Sequence, residues 1–198
     1  MNKAKTDGVW NELLLRYRVS LDAVNLDILM SIFHQKMMKK NEFFIREGEK
    51  STEIGLIIKG VFRSFYIDEQ GNEITKYFHA EGDLLFSYLA YLSQKESTYY
   101  LQALEDSEIL VTSVADFEKI MEGNYQLLLF NKKITESALV MKEEHAISFK
   151  LWDSMERYNN FSICFPGLEQ RIKQCDLASY LGITPVSLSR LKAKRLNK

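Results

Sequence analysis

Gly48, Gly60, Gly71 and Gly82 are spaced 12, 11 and 11 residues apart. That interval leaves room only for short elements between turns. The segments between them are β-type: Ile54-Gly55-Leu56-Ile57-Ile58, Val61-Phe62-Arg63-Ser64-Phe65-Tyr66-Ile67 and Ile74-Thr75-Lys76-Tyr77-Phe78. Branched and aromatic residues suit a pleated, half-buried surface. Asp68-Glu69-Gln70-Gly71-Asn72 reads as a hairpin turn, because Gly and Asn accept the positive φ that tight turns need. Strands resume at Tyr99–Leu104 and Glu108–Thr112, after a short helical run over Leu84–Leu92. Regular short strands at this interval indicate a β-sandwich or barrel.

Helices flank the strands. Leu13, Leu14, Tyr17, Leu21, Val24, Ile28 and Ile32 recur at helical spacing, so Trp10–Met37 is read as helical with a start at Ser20. Beyond Val114 the helical period returns, with a break at Gly123. Leu127, Ile134, Met141 and Ser148 then recur every seven residues, and Asn131, Ala138, His145 and Trp152 follow each by four. This is an imperfect coiled-coil seam, equally readable as the core face of a helix lying on its own strands. Phe165-Pro166-Gly167 reads as a linker.

The 198 residues are 46% hydrophobic and 27% charged, an ordinary globular composition. No apolar run suffices for a membrane span, and the polar Met1–Asp7 leads into no signal sequence. Cys164 and Cys175 form no CxxC pair and fit a reducing compartment. We expect a cytoplasmic protein. The net charge of -1 is unevenly spread. From Leu168 onward, Arg171, Lys173, Arg190, Lys192, Lys194, Arg195 and Lys198 face only Glu169 and Asp176, so a basic end sits on an acidic body.

The most specific motif lies in that basic end, from Gln174 to Leu191. Leu177, Leu181, Ile183, Leu188 and Leu191 take the apolar positions of two crossing helices, with small Ala178 at the close approach and Gly182 in the turn. Thr184 can cap the second helix, and Pro185 stands in its first turn, where a missing N–H costs nothing. The pattern is a helix-turn-helix. Its candidate DNA-binding residues are Gln174, Thr184, Pro185, Val186, Ser187, Ser189, Arg190, Lys192, Lys194 and Arg195. Arg190 is the candidate base reader, with Lys192, Lys194 and Arg195 as phosphate anchors.

With these features in place, the chain resembles the Crp/Fnr family of transcription regulators over nearly its whole length. Glu47-Gly48-Glu49, Ile57-Ile58-Lys59-Gly60-Val61 and the run from Pro166 through Pro185 carry the likeness. The resemblance implies an α+β fold: a jelly-roll, cyclic-nucleotide-binding-like β-barrel, a long dimerisation helix and a carboxy-terminal helix-turn-helix. It implies a sensor domain over 1–116, a dimerisation helix over 117–148 and a DNA-binding domain over 149–198. Its implied partners are a second copy through Leu127, Ile134, Ala138 and Met141, a pseudo-palindromic DNA duplex, and RNA polymerase. An effector would sit near Gly82, Asp83, Leu84, Leu85, Ser97, Thr98 and Tyr99. Cyclic-AMP-binding members place an arginine beside a serine or threonine there, but Glu96-Ser97-Thr98-Tyr99 has none, so cyclic AMP is not the expected effector. Val186 stands where the short-ended subgroup often has Glu, and the wing strands are expected to be missing.

No cofactor or metal is expected. An iron–sulfur sensor needs about four cysteines near the amino terminus, and none is there. His79, near a strand end, is a weak haem ligand candidate. A cupin-like metal enzyme or ligand-binding module would need two or three histidines converging with a carboxylate, and His34, His79 and His145 fall on separate elements. No catalytic motif is present. The remaining alternative is an interaction module that has lost DNA binding.

Overall fold

The computed structural model describes residues 3–196; Met1, Asn2 and Lys198 of the expectations above lie outside them. Two four-stranded antiparallel sheets form a β-roll. One runs β1 (His34–Met38), β8 (Ser107–Ser113), β3 (Glu53–Lys59), β6 (Leu84–Leu85). The other runs β2 (Phe43–Ile45), β7 (Tyr100–Ala103), β4 (Phe62–Ile67), β5 (Glu73–His79). The expected turn joins β4 to β5. Gly71 takes φ +83°, and the Asp68 carboxylate accepts from the N–H groups of Gln70 and Asn72.

β3 explains why its sequence is continuously apolar rather than alternating. Ile57 faces the space between the sheets, against Met38, Phe62, Leu85, Ile109 and Val111. Leu56 and Ile58 face outward but are covered by helices, through Trp10, Leu13, Leu29, Leu127, Phe130 and Ile134. A strand buried on both sides has no polar face to show.

The helices come from both ends of the chain: α1 (Lys3–Arg16), α2 (Ala23–Ser31), α3 (Tyr88–Ser93), α4 (Val114–Met121), α5 (Tyr125–Leu151), α6 (Ser154–Cys164), α7 (Gln174–Tyr180) and α8 (Pro185–Leu196). Three sequence expectations change here. The helical reading of Trp10–Met37 overran. Asp22, not Ser20, caps α2, accepting from Asn25 N–H, and His34–Met38 is strand because it completes the edge beside β8. Leu84 and Leu85 pair with Leu56 and Gly55 as β6, so the helical run starts only at Tyr88. The helix expected over 117–148 is two helices. Phe117 belongs to α4, Gly123 (φ +71°) breaks the chain, and Asn124 caps α5. α5 ends before an Asp153–Glu156 capping box that starts α6.

Two of the four expected dimerisation residues are taken up within the chain itself. Leu127 and Ile134 are buried in this chain's own core, whereas Ala138 is half-buried at the cavity and Met141, which also lines it, is 38% exposed. Leu127, Ile134 and Ser148 of the heptad seam lie on the buried face of α5. The opposite stripe, Tyr125, Leu128, Leu139, Val140, Ile147 and Leu151, is exposed, with Leu139 at 59%. Both stripes are apolar, so periodicity alone could not say which was inside.

At Gly60, between β3 and β4, φ is +132° and an added Cβ would overlap the Ser107 side chain, with Ser107 Cα at 3.0 Å. At Gly71 φ is also positive, but nothing lies within 4 Å. Gly60→Ala should therefore cost about 2–4 kcal/mol, from backbone strain plus overpacking, and Gly71→Ala about 1 kcal/mol. Urea unfolding of both variants checks the order.

Candidate nucleic-acid interface and ligand cavity

α7 and α8 form the expected helix-turn-helix. Leu177, Ala178, Leu181 and Leu188 are buried where the helices cross, and Ile183 and Leu191 close the cluster. Gly182 takes φ +68°, and the turn is held by Ile183 N–H donating to Ala178 C=O at 3.0 Å. Thr184 Oγ1 accepts from Ser187 N–H at 3.1 Å, capping α8 at Pro185.

Outward from this core, Gln174, Thr184, Pro185, Val186, Ser189, Arg190 and Lys194 are exposed, and Ser187 is half-buried. Val186 is 61% exposed, so an apolar side chain stands on this face. Arg190 has no hydrogen bond or ion pair among the described residues. Two expected phosphate anchors are already engaged. Lys192 pairs with Glu169 and donates to Gln174 Oε1. Arg195 donates to Ser162 Oγ at 2.8 Å and lies over the Tyr158 ring at 5.2 Å. The structure thus separates the basic residues into free ones, Arg190 and Lys194, and ones that brace the module.

The sequence reading missed how the module is held. Arg63 of β4 is 3% exposed and pairs with both Asp176 of α7 and Glu73 of β5. Ser179 Oγ accepts from Thr75 N–H at 2.9 Å, and Arg171 pairs with Glu81 at 2.7 Å and with Glu105. Around these contacts Val61 and Phe78 of the roll share one apolar cluster with Phe161, Phe165, Leu177 and Tyr180. An arginine in the Val61–Ile67 run was the available signal: a buried charge demands a partner from elsewhere.

A cavity of about 220 Å³ lies between the roll, α3 and α5. Of the expected effector residues, only Leu84 and Tyr99 line it. Leu85 sits in the inter-sheet core and Thr98 is exposed. Ser97 Oγ donates to Tyr99 C=O at 2.8 Å and lies 3.0 Å from Ser87 Oγ. Gly82 abuts the Arg16 guanidinium, and Asp83 pairs with Arg16 and accepts from Ala80 N–H. Burial lifts the Asp83 carboxyl above its usual range, against the pull of Ala80 N–H and Arg16. Ser97 and Asp83 are thus engaged with groups of the chain itself. The cavity is instead walled by residues that the sequence reading did not single out as ligand contacts, among them Tyr17, Lys76, Tyr77, Phe86 and Tyr88. Their strand and helix faces are set by tertiary register. Two walls, Tyr77 and His145, touch Tyr180 of α7, with ring centroids at 6.1 and 5.2 Å.

Residues 35–124 match the family model described as the cyclic nucleotide-binding domain. The chain is 23% identical to the anaerobic regulatory protein of Haemophilus influenzae over 184 residues, covering 87% of this chain and 71% of that one. It is 26% identical to regulatory protein HlyX of Actinobacillus pleuropneumoniae, covering 81% and 70%. Among solved structures it resembles FixK2 of Bradyrhizobium japonicum, with TM-score 0.72, 19% identity and coverage of 82% and 84%. It also resembles the catabolite activator protein of Thermus thermophilus, with TM-score 0.57, 19% identity and coverage of 90% and 85%. The chain is thus similar to these regulatory proteins over most of its length, and it shares the fold of the two solved structures.

Two of the three histidines share the cavity wall. His79 of β5 and His145 of α5 both line it, on separate elements as expected, while His34 lies on β1. No Asp or Glu lines the cavity with them. No group of three His, Cys, Asp or Glu among the described residues could hold a metal. Burial pushes the His79 imidazole down to about 3, and the Lys76 charge adds to this. Burial also lowers His145. An imidazole in the unfolded chain takes its proton below about 6.5, whereas His79 in the fold resists it until about 3. Stability is thus full above pH 6.5 and is lost as pH falls through that window. Urea midpoints should drop between about pH 7.5 and about pH 5, and His79→Gln should remove the larger part of that drop.

Proposed function

We propose that this protein is a sequence-specific DNA-binding transcription regulator that acts as a homodimer. The observation that carries the reading is the α7–Gly182–α8 module, whose outer face presents Ser189, Arg190 and Lys194 to solvent. An interaction module that had lost DNA binding would gain support from a buried basic face, but Arg190 and Lys194 are exposed. A cupin-like enzyme is disfavoured because the two histidines at the cavity find no carboxylate there. The curated relatives cited above are named as regulatory proteins. We therefore read the chain as a regulator rather than an enzyme.

The exposed stripe of α5 is our candidate dimer contact. Twenty-seven residues of helix span about 40 Å, enough for a two-stranded seam. Two α8 helices about 34 Å apart would then read a pseudo-palindrome from adjacent major grooves. The protein would act in the cytoplasm, where contact with RNA polymerase is part of the same proposal. No helix among the described residues is long and apolar enough to cross a membrane.

On an operator selected from random duplexes, Arg190→Ala should lose about 1–3 kcal/mol per half-site, with much less loss on random DNA. Lys194→Ala should weaken both alike and lower the salt slope by about one per protomer. Shift assays across a salt series separate the two; equal losses for Arg190→Ala on both DNAs would remove it as the base reader. For assembly, Leu139→Glu with Val140→Glu should yield a folded monomer by sedimentation, with weakened operator binding. Ile134→Ala should leave association unchanged and lower stability by about 2–4 kcal/mol, because it opens the chain's own core.

A further inference from the structure

The polar lining of the cavity is one-sided. Lys76 and Lys142 reach it, and no carboxylate does. Lys76 is half-buried on β5 and has no ion pair among the described residues. Its ammonium sits 3.6 Å above the Tyr99 ring and 5.9 Å from that of Tyr66. Ring faces compensate a cation only in part, and burial with Lys142 nearby lowers its pKa to about 8. Lys142 lies over the Tyr88 ring at 5.4 Å. His79 and His145 are both held toward the neutral form. The site therefore carries positive charge without an internal counter-ion, inside walls that are mostly apolar and aromatic.

Size and shape narrow the occupant. About 220 Å³ exceeds the ~150 Å³ of a cavity that accommodates benzene and falls short of the ~300–1,000 Å³ of pockets for drug-sized ligands. Phe86, Tyr88, Tyr91 and Tyr99 offer ring faces and edges suited to a flat apolar body. For a cyclic nucleotide, the hydroxyl expected at its phosphate, Ser97 Oγ, is already engaged with Tyr99 C=O and Ser87 Oγ, and no arginine lines the cavity.

We propose that this cavity binds a small aromatic carboxylate, its ring against the aromatic wall and its carboxylate on Lys76 Nζ. The inference rests on the regulator reading for its consequence, since it makes the compound the effector, but binding itself requires no DNA.

The test is calorimetry of the full chain with phenylacetate, phenylacetamide, benzylamine, hexanoate and cyclic AMP. Phenylacetate should bind, and the amide and the amine should each be weaker by roughly ten- to a hundredfold, the worth of a charge-assisted contact. Hexanoate should be weaker than phenylacetate. Lys76→Met should erase the preference for acid over amide, and Lys76→Arg should retain it. If Lys76→Met does not fold, as judged by circular dichroism, Lys76→Arg and the wild-type acid-to-amide ratio decide. The proposal is overturned by equal binding of acid and amide, by hexanoate binding as tightly as phenylacetate, by cyclic AMP binding more tightly than either acid, or by no binding to the folded protein. A shift assay on the same preparation without ligand tests the regulator reading separately. Phenylacetate binding without DNA binding would leave the site standing and remove the function.

Discussion

Leu56 and Ile58 point one way from β3 and Ile57 points the other, and neither side meets water. Leaving either set exposed would forfeit roughly 1.5–3 kcal/mol per side chain, so the strand needs a sheet on one face and helices on the other. The second sheet supplies the first cover. The amino-terminal helices and α5 supply the second, through Trp10, Leu13, Leu29, Leu127, Phe130 and Ile134. Because α5 is committed along that face, its opposite stripe is left bare from Tyr125 to Leu151. Where α5 continues past Ile134, the residues beneath it are Tyr88, Lys76 and His79 rather than close-packed aliphatics, and the cavity opens there. The candidate dimer face and the candidate sensor site are both consequences of covering one strand twice.

The same logic of satisfaction holds the helix-turn-helix in place. Arg63 brings a guanidinium into a buried position of β4, a poor choice for a strand unless acids converge on it. Asp176 and Glu73 do, and one of them belongs to the module. Ion pairing fixes where α7 rests, while Phe78, Phe161, Phe165 and Tyr180 provide the apolar area. The basic residues of the carboxy-terminal segment divide accordingly. Arg171, Lys192 and Arg195 find acids, hydroxyls or rings within the chain, whereas Arg190 and Lys194 face outward. Tyr180 is in contact with both the roll and the cavity wall, so a displaced Tyr77 or His145 would press directly on α7.

What was legible from sequence alone is local. The turn at Asp68–Asn72 follows from the side chains within it, as does the α7–Gly182–α8 turn with Ala178 at the crossing and Thr184 at the cap. Short-range sterics and hydrogen bonds decide these, and a neighbouring element does not change them. The strand runs of β3, β4, β5, β7 and β8 could be read because branched and aromatic residues cluster between turn residues. Three decisions came only with the tertiary structure. His34–Met38 became strand because β8 needed an edge partner, against a local spacing that fits a helix equally well. On α5 the stripes through Leu127 and Leu128 are both apolar, and only docking on the roll buries the first and leaves the second outside. The third is the set of residues at the cavity. Lys76, Tyr77 and His79 meet Met141, Lys142 and His145 because β5 and α5 cross there, and no spacing along the chain encodes a contact made across that distance.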